Sequence, residues 1–171
     1  LFQWYGTQSF IGHQACAILA QHWMIDKICT TPARDAIRQG FEIINEVGED
    51  KLTDEVIAEY ARYDKKFKIY KHMLDYVRKG RIFGIRVAFP IIESPDPDYY
   101  EKPFNPDGVR PASFKGWVMV DPYWMAPILS ADASARPDMP DFYEPTWWLI
   151  NGKQYHRSHL CIFRTSPPVD L

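Results

Sequence analysis

The sequence predicts an α+β fold in which a helix pair and one long helix pack on a mixed or antiparallel sheet. Three observations carry this. Ala15, Ile18, Leu19, His22, Ile25 and Cys29 recur at three- and four-residue steps, the period of one helix face. Val56, Tyr60, Tyr63, Phe67, Tyr70, Leu74 and Val77 do the same over a longer span. Arg81 to Ile92 instead alternates at period two, with Phe83, Ile85, Val87, Phe89 and Ile91 on one side, as a strand does.

Taken in order, Leu1 to Ser9 is aromatic (Phe2, Trp4, Tyr5) but without period, and is expected to lie across a surface groove. Ser9 is placed to cap the first helix. Thr31-Pro32 restarts the chain, because threonine caps free N–H groups and proline at the next position lacks one that needs a partner. Ala33 to Gln39 follows as a second, short helix that Gly40 ends in a left-handed conformation. Phe41 to Ile44 reads as a strand, and 45–52 as an acidic turn with Glu46, Glu49 and Asp50.

Thr53 caps the long helix, 54–79, which is expected to stop at Gly80. Its apolar stripe has heptad spacing. A single amphipathic helix on a sheet accounts for it, since the stripe is aromatic rather than leucine-rich. The alternative is a seam against a neighbouring subunit. Charge is divided along this helix: Asp54, Glu55 and Glu59 open it, and Lys65, Lys66, Lys68, Lys71, Arg78 and Lys79 fill its second half. Each sign sits at the dipole end it stabilises, by about 0.3–1 kcal/mol per charge. The same cations are the candidate contact to DNA phosphate or to another subunit.

Pro90 puts the far end of the 81–92 strand at a sheet edge. The 93–113 segment holds Pro95, Pro97, Pro103, Pro106 and Pro111, which exclude both helix and central strand. It is expected to be a long, partly extended loop, poorly ordered in an isolated monomer and able to lie on a neighbour. Phe114 to Val120 is a strand turned by Asp121-Pro122, and Trp124 to Leu129 another, interrupted by Pro127. Phe142 to Ile150 and Lys153 to Tyr155 flank Asn151-Gly152, a hairpin signal because both residues tolerate positive φ. His159 to Arg164 closes the sheet.

The chain has 171 residues, 46% hydrophobic and 25% charged, with a net charge of −2. That length predicts one domain, and the balance gives no net attraction to nucleic acid. Three cysteines, Cys16, Cys29 and Cys161, are too scattered for a disulfide framework or a paired-cysteine zinc site. No apolar run approaches the about 18 residues that a membrane span needs.

His156, Ser158 and His159 invite an active-site reading. A two-histidine phosphoesterase uses two His-x-Ser/Thr elements, one imidazole as base and the other as acid. The sequence holds one, His156-Arg157-Ser158, so a histidine donating to backbone is expected instead. His156-x-x-His159 has no neighbouring cysteine pair or carboxylate to complete a metal site. Neither a glycine-rich phosphate loop nor a nucleophile elbow is present, and no cofactor is expected. The carboxylates of the proline loop read as solvated. Trp117, Trp124, Trp147 and Trp148 fall within strands, which favours core or subunit packing over base stacking.

Several separated strings resemble the wing segment of bacteriophage portal proteins. They are I25-D-K-x-x-x-x-P32-A-R-D35-A-x-R38-x-G40-F-E-I43, K79-G-R-I-F-G84, W117-V-M-V-D121-P122-x-W124 and I150-N-G-K-Q-Y-H156-R-S158-H159-L-C-I-F163. More narrowly, they are similar to the tailed-phage portal group sometimes labelled anti-CBASS. In the last string His159 stands where arginine is usual, so an ion pair made by that arginine is not carried over. The resemblance implies a structural protein rather than an enzyme. It implies a ring of identical subunits, commonly a dodecamer, at a capsid vertex, located in the virion after assembly in the host cytoplasm. Double-stranded DNA passes through such a ring. Its partners are the major capsid protein, terminase and head–tail adaptor proteins, with no membrane. Residues 1–171 are expected to form one wing-like domain of a longer chain, with stem and clip following Leu171.

Overall fold

Strand β1 (Ile85–Ile92) is the centre on which the other elements are laid. In a computed structural model, residues 11–41, 54–128 and 145–165 are described. β1 pairs antiparallel with β2 (Phe114–Val120) on one side and β6 (Cys161–Arg164) on the other. A second antiparallel sheet joins β3 (Met125–Ile128), β4 (Trp147–Ile150) and β5 (Lys153–His156). Among the described residues the strands form two three-stranded sheets where the sequence suggested one. Alternation identifies strands, but it carries no information about which strand each one pairs with.

Val87 and Phe89 of β1 and Val120 of β2 meet Trp148 and Ile150 of β4 in the principal core. β1 is covered on both faces: Val87, Ala88 and Phe89 are all buried, so its burial does not alternate. Full burial of a Val or Phe side chain contributes about 1.5–3 kcal/mol, which makes β1 the element the fold can least lose. Pro90 sits where β6 has already ended, since that pairing runs only from Ile85 to Ala88. Its missing N–H therefore costs no ladder bond, as expected of an edge. The Tyr100 phenol completes this open edge, accepting from Ile92 N at 2.9 Å and donating to Pro90 O at 3.2 Å.

The helices differ from expectation at four places. Helix α1 (His13–Leu19) ends before Ala20, and α2 (Trp23–Ile37) runs through Thr31-Pro32 without a break. Proline inside a helix removes one hydrogen bond. Packing outweighs that here, because Cys29, Ala33 and Ile37 repeat every four residues and are all buried. The left-handed glycine is Gly40, as expected, with φ of 71°. Phe41 is exposed and not in a strand, and Glu42 to Ile44, like the acidic turn, lie outside the described residues.

The 54–79 helix is two helices, α3 (Asp54–Phe67) and α4 (Ile69–Phe83). Lys68 between them is left-handed, at φ 53°. Gly80 does not terminate α4. It is buried within the helix, where the Phe163 ring occupies the space a side chain would need. The helix ends at Gly84, with φ of 80°. The 81–83 residues expected to begin the strand are thus the last turn of α4.

The proline-rich segment packs on its own domain. Asp96 accepts from Lys102 Nζ at 2.5 Å, Glu101 O accepts from Trp147 Nε1 at 3.3 Å, and Tyr100 O accepts from His156 N at 2.7 Å. These contacts join the segment to β4 and β5, and the Tyr100 phenol joins it to β1. The Asn151-Gly152 hairpin is as predicted, with φ of 47° and 83°. Phe142 to Glu144 lie outside the described residues, as do Leu1 to Phe10.

Candidate functional site

The six cations singled out in the sequence do not form one strip. Lys65, Lys68 and Lys71 line a groove of about 460 Å³ together with Ile37, Gly40 and Phe41 from the end of α2. The left-handed turn at Lys68 creates this arrangement, since it breaks the helix between α3 and α4. Lys66 points elsewhere, with its ammonium 5.7 Å and 5.2 Å from the ring centres of Tyr63 and Phe67. Such cation–π contacts hold a lysine stem against an apolar surface.

Arg78 and Lys79 are engaged within the domain. Arg78 Nη2 lies 2.6 Å from Asp26 Oδ1, and its Nε donates to the same carboxylate and to Thr30 Oγ1, each at 3.0 Å. The guanidinium hydrogen bond holds the Asp26 carboxyl below the usual carboxylate value. This ties α2 to α4. Lys79 is 3.5 Å from Asp75, one turn earlier.

Arg86 is the charge that sequence reading missed. It projects from the helix-facing side of β1, is only 2% exposed, and bridges Asp75 of α4 at 3.2 Å and Asp121 after β2. Burial lowers its pKa, and the Asp75 charge opposes that shift. Two carboxylates on one buried guanidinium fix the helical layer against the sheet. An alternating strand that carries arginine at an inward position was the only available signal.

The histidine motif is closed on itself. His156 Nδ1 accepts from Ser158 N at 3.2 Å and lies 2.8 Å from Ser158 Oγ, which in turn accepts from Phe104 N at 2.7 Å. His156 thus caps the turn Arg157–His159, accepting where a donor to backbone was expected. The donor is His159. Its Nε2 is 2.9 Å from Lys102 O, and its ring packs edge-on to Tyr99, Tyr100 and Phe104. Burial pushes its pKa below the usual histidine value, while the Lys102 hydrogen bond pulls the other way. A neutral imidazole fits this aromatic setting. Among the described residues no group of three His, Cys, Asp or Glu side chains is placed to hold a metal ion.

Among the described residues two apolar faces are exposed. On α3, Val56, Ile57, Tyr60 and Tyr63 are exposed. Only the end of the predicted stripe reaches the domain: Phe67 meets Phe114 edge-on at 4.7 Å, and Leu74 and Val77 are half-buried. The single-helix-on-a-sheet account therefore fails for the first half of that helix. On α2, Trp23, Met24 and Ile28 are exposed. The predicted apolar face differs, for Ile18, Leu19 and His22 face outward, because the break at 20–22 changes the phase between the two helices. Trp23, Met24 and Ile28 were legible only as an apolar set out of phase with that face.

A family model described as phage portal protein matches residues 13–171. No curated protein matches the chain. Among the described residues no helix is long and apolar enough to cross a membrane.

Proposed function

The chain belongs to the phage portal protein family, and on that premise we propose that residues 1–171 act as one wing-like domain contacting neighbouring subunits and the shell. The family is structural, and the virion capsid is where its members reside. The observation that carries the finer reading is the face of α3 left exposed among the described residues, an apolar stripe at heptad spacing on a helix that barely touches its own sheet. Exposed apolar surface of this kind marks association.

The ring, a dodecamer by resemblance, provides the channel for double-stranded DNA during packaging and ejection. The major capsid protein meets it at the vertex, terminase docks on it, and head–tail adaptor proteins follow. Assembly takes place in the host cytoplasm. Electron micrographs of the full-length protein test this reading. Rings with a central pore are expected, whereas a stable monomer that turns over a small substrate overturns it.

A contact to DNA through Lys65, Lys66, Lys68 and Lys71 is a second reading, favoured by three of these lysines lining one groove. Arg78 and Lys79 support it less, since they hold the domain together. Charge reversal at the four lysines is expected to weaken DNA retention. Unchanged retention and packaging dismiss the contact.

A further inference from the structure

Lys68 is held in a conformation that its side chain disfavours. It is left-handed, with φ of 53° and ψ of 41°, between α3 and α4. For a residue with a Cβ this is a factor of about 5–30 in equilibrium against the right-handed helix. Nothing local asks for it. The sequence around it, Asp64-Lys65-Lys66-Phe67-Lys68-Ile69-Tyr70-Lys71, holds neither glycine nor proline, and no side chain caps the helix that begins at Ile69. The apolar stripe of Val56, Tyr60, Tyr63, Phe67, Tyr70, Leu74 and Val77 also keeps step across Lys68. Three- and four-residue spacing maintained on both sides of a position is the pattern of one unbroken helix.

What opposes that local preference is an aromatic contact. Phe67 packs edge-on to Phe114 of β2 at 4.7 Å, and Tyr63 stacks on Phe67 at 6.1 Å. The joint is not closed, for a groove of about 380 Å³ remains there, lined by Tyr60, Tyr63, Phe67, Ala112 and Phe114. Ala112 is itself left-handed, at φ 62°. Two non-glycine residues with positive φ thus flank one loosely packed contact. Strain of this kind persists only where the surrounding structure imposes it, and it clusters in parts that switch.

We propose that Lys68 is a hinge with two states. In the bent state Phe67 docks on β2 and Lys68 is left-handed. In the straight state Phe67 leaves Phe114, Lys68 becomes right-handed, and α3 continues α4 as a single helix. Hinges are built this way, from an element-terminal residue that absorbs the change in φ and ψ. α3 has 14 residues, about 21 Å of helix, so rotation at Lys68 displaces its first turn widely. The two states offer different surfaces. Straightening opens the Phe114 side of the groove and brings Val56, Tyr60 and Tyr63 into one line with Leu74 and Val77. The hinge rests on this chain's own backbone and not on the portal reading, so either stands if the other fails.

The test uses the full-length protein with spin labels on unnatural side chains at Glu59 and Arg81, both exposed. Labelled chains are diluted into unlabelled ones, so that double electron–electron resonance reads the distance within one chain. A continuous helix sets these positions about 33 Å apart at 1.5 Å per residue, and the bend brings them closer. Lys68→Gly removes the steric cost of the left-handed state and is expected to lower the ratio of long to short distances by about 5–30-fold. Lys68→Val, β-branched and still less tolerant of positive φ, is expected to raise that ratio. Phe67→Ala, which undocks α3 without changing the hinge residue, is expected to raise it too. Circular dichroism verifies folding, and a variant that does not fold leaves the decision to the other two. A rigid elbow would register these substitutions in melting temperature alone. The short distance unchanged in every folded variant therefore overturns the hinge, as does a broad distribution with no maximum near the straight-helix value.

Discussion

Gly80 in α4 lies against the ring of Phe163 in β6, and a Cβ placed on it would come within 2.6 Å of Cε1 of that ring. A methyl group there cannot be accommodated unless the ring moves, and Tyr76 packs edge-on against that ring at 5.7 Å. Gly80→Ala therefore sets a better helix former against an overlap. Alanine gains about 1 kcal/mol of helix propensity, while overpacking costs about 1–3 kcal/mol. A lower melting temperature is expected. In a double-mutant cycle, Phe163→Leu is expected to relieve part of the loss, and strict additivity would show that the two positions do not press on each other.

The buried Arg86 between Asp75 and Asp121 makes a second case. Removing one partner leaves a guanidinium short of its counter-charge, which in buried pairs costs about 3–5 kcal/mol. Asp75 is partly exposed, so solvent screening puts Asp75→Asn below that range. Arg86→Met removes the charge together with its need for a partner and is expected to cost less than Asp75→Asn with Asp121→Asn combined. Urea denaturation midpoints decide it. A reversed order would mean that the carboxylates and not the guanidinium are what the fold requires.

Tyr100→Phe isolates a single hydroxyl. The phenol serves Ile92 N and Pro90 O at the place where β6 leaves β1 unpaired. Without it the amide of buried Ile92 has lost its partner, at a cost of about 1–3 kcal/mol. Faster hydrogen exchange at Ile92 is the expected signature, with the amides of Val87 and Ala88 little changed.

Much of the fold was legible because its signals are local and periodic. β2 was placed to the residue, and Asn151-Gly152 marked its hairpin by the positive φ both residues adopt. Misreadings fell where packing overrides local chemistry. Pro32 stays in α2 because Cys29, Ala33 and Ile37 need one continuous buried face. Gly80 stays in α4 because a ring fills the place of its side chain, so its role is steric rather than terminal. Lys68 carries no mark of the break it makes, lysine being no usual left-handed residue. The same limit applies to the candidate site. Six cations were visible as a run of charge, but the pairing of Arg78 with Asp26, 52 residues away, lies in the tertiary structure alone.

His159 gives the domain a calculable response to acid. Its folded pKa lies below the ordinary histidine value of about 6.5 because burial among aromatic rings disfavours the charged form. Above that value the imidazole is neutral in both the folded and unfolded chain, and its titration contributes nothing. As pH falls below it, the unfolded chain takes up the proton first, so the equilibrium moves toward unfolding until the folded pKa is also passed. Stability is thus full at neutral pH and declines through the window beginning near pH 6.5. His159→Gln retains an amide that donates to Lys102 O but does not titrate. Between pH 7.5 and 5.5 the wild-type urea midpoint is expected to fall further than that of the variant. Equal slopes would mean that the imidazole stays accessible to protons in the folded domain.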